Sequence, residues 1–385
     1  MDPIIAQIQG LAKNSDEIGR LNIVKTLQRL QVEIQSPKDT LFGLAGAGVT
    51  IAMLRVSADL GLLRLLAKSN SPLTVDEIAV STGASPQLLE RILRYLASAE
   101  MIKKVEANKY AAILLTHILA DPKGEGMIYH AFDTHGPVIQ AMPDFFAENS
   151  YQDVTVNTNT PFQKAHNTKL TSFEWLKQHP DHFIRLQAVM TAMKGSEWTD
   201  GFSLIHDEAQ KAPSAAPQPL EKPFFVDVGG GHGHQCIELG KRYPNLLGRL
   251  VLQDLPEVVD SLAPIEGVKT EGNDFFQKQP INGAKFYYLR RIMHDWPDLE
   301  AAKILRNIAS AMGTDSRILI DETVLPETGA HLQSTMADIA MMTFGGKERT
   351  ESQWSALAEI SGLKIEQIHT YIASTYTAIL VLAPQ

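Results

Sequence analysis

"FFVDVGGGHGHQ", residues 224–235, drives an apolar run into three consecutive glycines and then a fourth at Gly233. Glycine costs backbone entropy and packs nothing, so four at one turn mean that a ligand or another backbone comes close there. An apolar strand that runs into a glycine-rich turn and then a helix is the opening unit of a parallel α/β sheet. Backbone N–H groups and the helix N-terminus at such a turn face a ligand.

The chain after this stretch continues the pattern. "RLVLQDL" (249–255), "AKFYYLR" (284–290) and "RILIDETVL" (317–325) are short apolar runs separated by turn signals or helical segments. Strands alternating with helices predict βαβ units and a parallel sheet. The last two runs, "KIEQIHTYIA" (364–373) and "TYTAILVLAP" (375–384), are joined by a short turn and predict an antiparallel hairpin at the carboxyl end.

Acidic residues at the strand ends narrow the ligand. Asp254 ends the second strand, 27 positions after Asp227, where an acid holds ribose hydroxyls. The glycine spacing is GGGxG and not the dinucleotide GxGxxG, which favours a nucleoside over a pyrophosphate. Asp227 either reaches the ligand or only ends its strand. In "EGNDFF", Asp274 and Phe275 close the third strand, placed for an adenine edge and face. The four glycines and these positions together predict an adenosyl ligand.

A second constellation is "LRRIMHDWPD" (289–298), at the carboxyl end of the fourth strand, the edge where open α/β sheets bind ligands. His294 there is either structural or a base, and Asp295 either caps the helix that Pro297 begins or faces the site. Glu322 in "IDETVL" and Glu348 in "GGKERTESQW" supply carboxylates that could orient the imidazole and stabilise its charged form.

The first half of the chain reads as helices. "IAMLRVSADLGLLRLLAKS" (51–69) predicts one helix, "LTVDEIAVSTG" (73–83) a second with Thr74 as N-cap and Gly83 as its end, and "SPQLLERILRYLASAEMI" (85–102) a third. "KKVEANKYAAI" then forms a hairpin with Ala107-Asn108 at its tip. Three helices and a wing bind DNA or serve as a packing and dimerisation module. The third helix sets Arg91 and Arg94 against Glu90 and Glu100, a poor phosphate magnet, which favours the module.

Bulk properties agree. A net charge of −9 over 385 residues gives no basic stripe for nucleic acid and no polybasic segment for a membrane surface. "LFGLAGAGVTIAML" (41–54) predicts a buried core helix and not a membrane span. The N-terminus lacks a signal peptide's basic flank, and the single cysteine, Cys236, fits a reducing compartment, so the expected location is cytoplasmic. The Pro/Ala-rich stretch 207–223 reads as a flexible linker. The expected organisation is a helical winged-helix domain (1–120), a helical connecting and pocket segment (121–206), the linker (207–223) and a ligand-binding catalytic domain (224–385).

"VDVGGGHGH", "LQDLP", "NDFF", "YYLRRIMHDWPD" and "GGKERTESQW", in this order, resemble the plant- and fungal-type small-molecule O-methyltransferases that use S-adenosylmethionine. "MLRVSADLGLLRLL" and "LLERILRYLASAEMI" are similar too, so the resemblance covers roughly residues 40–380. It implies a Rossmann-like class I methyltransferase sheet with an N-terminal dimerisation domain, hence a homodimer. It further implies that Asp227, Gly229, Gly231, Asp254, Leu255, Asp274, Phe275 and Arg290 hold the cofactor; plant members commonly have lysine at the Arg290 position. His294 is then the general base, held by Glu322 and Glu348.

Methyl transfer needs no metal, and the sequence offers no Cys/His cluster for one. Met190 and Met193 in "HFIRLQAVMTAM", and Met341, Met342 and Phe344 in "ADIAMMTFGG", are either core or an adaptable apolar acceptor pocket, with Asp295 and His135 beside it. The rival activity comes from fungal members of the same fold that bind the cofactor yet catalyse dehydration and pericyclic ring closure. A cationic residue often replaces the base there, and a histidine from the helical region helps; His130 and His135 are the candidates here. A winged-helix regulator without catalysis is a third reading.

Overall fold

The computed structural model describes residues 2–192, 197–212 and 222–385. The chain forms two compact units, one of residues 1–23, 151–160 and 195–385, the other of residues 24–150 and 161–194.

The first unit is built on one sheet. Its strands are β1 (Phe225–Val228), β2 (Leu250–Asp254), β3 (Val268–Gly272), β4 (Phe286–Arg290), β5 (Arg317–Leu325), β6 (Leu363–Ile372) and β7 (Thr377–Pro384). Their order across the sheet is β6-β7-β5-β4-β1-β2-β3. β1 to β5 pair in parallel, and β7 runs antiparallel to both β5 and β6, with Ala378 opposite Glu322. A two-residue strand, Arg349–Thr350, joins the far end of β5.

Side chains alternate between the faces. Val226 and Val228 enter a core with Tyr287, Leu289, Ile318 and Ile320. Phe225, Phe286, Tyr288 and Leu319 enter the core on the opposite face, with Cys236 and Trp198. Burial on both faces explains why these strands read as continuous apolar runs. The order reverses between β1 and β4, so the turns after both strands open at one edge, the switch point of an open α/β sheet. The fold is a class I methyltransferase sheet with an antiparallel carboxyl-terminal hairpin.

The second unit is helical around a wing. Thr74 caps Val75–Thr82 through a reciprocal capping box with Glu77, and Gly83 ends it at φ +72°. Ser85 caps Pro86–Ser98, which stops short of the expected residue 102 because Glu100 turns into the left-handed region. Lys103–Glu106 and Lys109–Ala111 form the wing, and Leu73–Thr74 adds a third short strand. Leu62, Leu66, Ile78, Leu89, Leu93 and Leu96 fill the core.

Two helical expectations are corrected here. Residues 51–69 are not one helix: Pro37–Asp59 ends before Gly61, whose left-handed backbone (φ +61°) starts the separate helix Leu62–Lys68. The stretch 41–54 is not a buried core helix either. Leu41, Phe42 and Leu44 stand 67%, 70% and 72% exposed, and only Leu54, Ser57 and Ala58 of this helix are buried. By length and composition alone this helix could cross a membrane. The expected linker begins inside the helix Ser203–Lys211, and its residues 213–221 lie outside the described set.

Candidate active site

The glycine turn is built so that side chains are excluded. Gly229, Gly231 and Gly233 take φ of +73°, +56° and +74°. A Cβ on Gly230 would stand 2.5 Å from both the Asp227 carboxyl carbon and Leu252 Cδ1; one on Gly229 would meet Ile292 Cδ1 at 2.8 Å. Around Gly231 the space is open. Gly233 opens the helix His234–Arg242. Asp254 holds the turn from β2: its Oδ2 accepts from Gly231 N (2.8 Å) and its Oδ1 from Leu255 N (2.7 Å). Asp274 lies two residues beyond β3, where its carboxylate accepts from Phe276 N (2.9 Å). The Phe275 ring reaches within 3.7 Å of the Gly229 Cβ position. The turn, the acid of β2 and an aromatic ring therefore meet at one edge, a cradle that fits an adenosyl group.

Beneath the turn, Asp227 is 1% exposed. Burial first, and then the charge of Asp254, push its carboxyl up to about 7 against the pull of Arg290. Arg290, at the end of β4, binds Asp321 Oδ2 at 2.6 Å, and Tyr288 and Tyr371 donate to the same carboxylate at 2.5 and 2.7 Å. Sequence reading missed Asp321 and Tyr371. Asp321 was visible only as the neighbour of Glu322 on an apolar strand, and Tyr371 arrives through the hairpin pairing.

His294 sits on a one-turn 3-10 helix, Met293–Asp295, directly after β4. Glu322 Oε1 accepts from Met293 N (2.9 Å) and His294 N (3.3 Å), which fixes the backbone of this turn. The imidazole Nδ1 lies 3.0 Å from Glu348 Oε1 and 3.6 Å from Glu322 Oε2; Nε2 lies 3.5 Å from Asp295 Oδ1. A proton on Nδ1 shared with Glu348 leaves Nε2 as the atom that can accept another. Asp295 makes no cap for the following helix.

The loop that carries Glu348 is locked against this turn. Lys347 N donates to His294 O (2.7 Å), and a Cβ on Gly346 would stand 2.3 Å from that same oxygen. Arg349, fully buried, donates to the carbonyls of Met293 and Trp296, each at 2.9 Å. Met341 Cβ comes within 3.2 Å of the Gly346 Cβ position; Met342 ends the helix Leu332–Met342, and Phe344 follows just beyond its C-cap Thr343.

Burial alone would lower the His294 titration, but the charges of Glu322, Asp295 and Glu348 outweigh it and raise it to about 10. Burial first, with Glu322 and Glu348, pushes Asp295 up to about 7 against the pull of His294. Burial also raises Glu322. For Glu348, burial is overcome by the hydrogen bond and charge of His294 and by Arg291 and Arg349, so it falls below the usual range.

The remaining candidates belong to the second unit. His135 ends a π-helical turn, His130–His135, in the second unit, where burial lowers both histidines, His130 to about 4. Met190 is exposed on the helix Pro180–Ala192, and Met193 lies outside the described residues.

Residues 42–116 match the model of the O-methyltransferase dimerisation domain, and residues 144–364 match that of the O-methyltransferase domain. The chain belongs to the S-adenosylmethionine-dependent O-methyltransferase family. Demethylsterigmatocystin 6-O-methyltransferase of Aspergillus flavus is 39% identical over 384 residues, spanning 100% of this chain and 98% of its own. Among solved structures, "A Pericyclic Reaction enzyme" superposes with a TM-score of 0.91 at 37% identity, over 100% of this chain and 99% of its own. LepI in complex with SAM matches with a TM-score of 0.90 at 37% identity, over 100% and 98%. This family therefore includes both methyl transfer and, in a similar structure, pericyclic chemistry.

Proposed function

We propose that this enzyme methylates a hydroxyl of an aromatic secondary metabolite, with His294 as general base. The observation that carries this reading is the imidazole's mounting: Nδ1 is bound to Glu348 with Glu322 behind it, and Nε2 remains to accept a proton. S-adenosylmethionine, when bound, supplies the activated methyl group. Gly229, Gly231, Asp254, Leu255, Asp274 and Phe275 would hold it, with Asp227 and Arg290 beneath and beside. His294 takes the acceptor's proton, Glu322 and Glu348 stabilise the imidazolium, and Met341, Met342 and Phe344 supply apolar surface for a flat acceptor.

A phenol near pKa 10 and an imidazolium raised to about 10 are matched, so the proton moves with little free-energy change. The cost is that the free enzyme carries His294 mainly as a cation at neutral pH. That cation also supports the second reading, fixed electrostatic assistance to a pericyclic ring closure. Incubation with methyl-labelled S-adenosylmethionine and a panel of hydroxylated polyketides, demethylsterigmatocystin included, separates the two. Label in the product supports methyl transfer. Isomerised or dehydrated product without label, and without S-adenosylhomocysteine, replaces it with the pericyclic reading.

The same reading includes a cytosolic homodimer. The exposed row Leu41, Phe42 and Leu44 begins where the dimerisation-domain match begins, and a second copy covers it. Light scattering without detergent is expected to give about twice the 42.4 kDa chain mass. Phe42→Asp is expected to shift the protein toward one chain mass, and Phe42→Leu to leave it unchanged. A wild-type monomer, or co-sedimentation with lipid vesicles, would overturn this assignment.

A further inference from the structure

His294, Asp295, Glu322 and Glu348 put three carboxylates around one imidazole, at 3.0, 3.5 and 3.6 Å. Glu322 is 0% exposed and Glu348 3%, and the Oε2 atom of each is buried with no hydrogen-bond donor among the described residues. With every acid ionised and the ring protonated, the cluster carries a charge of −2 in a buried setting.

The surrounding groups do not cancel that charge directly. Arg291 acts on the cluster through its field, but its Nη1 donates to the Thr323 hydroxyl (3.2 Å). Arg349 is committed to Asp298 and two carbonyls, and Lys347 faces Asp298 at 3.6 Å. Asp338, a further acid, receives the Glu348 N–H at 3.0 Å. Buried carboxyl oxygens without donors relieve such an excess by holding a proton.

We propose that this cluster holds one proton beyond that of the imidazolium in the free enzyme, and that S-adenosylmethionine binding expels a proton from it. The inference rests on the cofactor reading above, which brings a positive sulfonium to the edge where the cluster lies. A unit positive charge at about 7 Å in an effective dielectric of about 20 moves a titration by between one and two pH units. The added cation disfavours protons nearby, so both Asp295, at about 7 when free, and His294, at about 10, titrate lower in the complex. S-adenosylhomocysteine has no sulfonium charge. It shares the α-amino and carboxyl groups, so their titrations cancel between the two ligands.

Isothermal titration calorimetry of the intact wild-type enzyme at pH 8, in phosphate, HEPES and Tris, tests this. The slope of observed enthalpy against buffer ionisation enthalpy counts protons released. S-adenosylmethionine, and sinefungin with its ammonium in place of the sulfonium methyl, are expected to release roughly 0.2–0.6 proton more than S-adenosylhomocysteine. Release of protons makes affinity rise with pH, so the preference for S-adenosylmethionine over S-adenosylhomocysteine is expected to grow up to about sixfold per pH unit between neutral pH and pH 9. Asp295→Asn and Glu322→Gln are each expected to shrink the difference. Should either variant fail to fold, the ligand comparison on the wild type decides alone. Equal slopes for all three ligands would overturn the linkage and leave the cofactor reading standing. Binding of none of them would overturn both.

Discussion

Replacing His294 by alanine is expected to lower kcat/KM for methyl transfer by roughly 10²–10⁴-fold, the usual contribution of a general base. S-adenosylhomocysteine affinity should change little, because the base acts on the acceptor. The pH profile is the sharper test. Sequence alone suggests a rise through the ordinary histidine range, near 6.5. The structure corrects that expectation upward. With three acids around the ring, deprotonated His294 becomes abundant only as pH approaches about 10 in the free enzyme. The kcat/KM of the wild type is therefore expected to climb through neutral and mildly alkaline pH without a plateau at 7.

Glu322→Gln removes one of the charges that favour the imidazolium, so the His294 titration should fall and the rise should move to lower pH. It also leaves the Met293 and His294 amides bound to a neutral acceptor. Activity at the plateau is expected to drop less than for His294→Ala. More acidic phenols, which need less base, should recover part of the alanine variant's loss. A wild-type profile flat from pH 6 to 9, with His294→Ala within threefold of wild type, would remove the histidine from the proton-transfer step.

Gly230→Val is expected to abolish detectable binding of S-adenosylmethionine at millimolar concentration, as read by calorimetry. Its first side-chain atom alone would sit 2.5 Å from the buried Asp227 carboxyl and from Leu252. Neither can retreat, since Asp227 is on the central strand and Leu252 is fully buried. The turn itself has to move. Asp254→Ala acts on the same turn from the other side, releasing the Gly231 and Leu255 amides and removing the acid proposed for the ribose. Loss of two charge-assisted hydrogen bonds, each about 1.5–3 kcal/mol, predicts a weakening of at least tenfold to a hundredfold. Asp254→Asn should lose less, because the amide oxygen still accepts from one N–H. Wild-type affinity in Gly230→Val would mean that the turn does not bind the cofactor.

The sequence alone determined the alternation of β1 to β5, the glycine turn and the carboxyl-terminal hairpin, because those signals are local: apolar runs of strand length, glycines that need positive φ, and turn residues between them. Thr74, Gly83 and Ser85 likewise marked helix ends through side-chain and backbone chemistry within a few residues. It also picked out His294, Glu322 and Glu348 as candidates, although 54 positions separate the first from the last. Only the tertiary structure decided how they meet. β5 brings Glu322 under the 3-10 turn, and the loop locked by Gly346 and Arg349 carries Glu348 to Nδ1. Burial and mutual charge, which no window of residues reports, then place the imidazole at about 10 and Asp295 at about 7. Asp321 with Arg290, Tyr288 and Tyr371 was illegible for the same reason: its partners come from two other strands, β4 and β6, and meet through pairing register alone. The helix Pro37–Asp59 shows the limit from the other side. Its composition reads as core, yet its first half stays exposed, because hydrophobicity says that a surface must be covered and not which chain covers it.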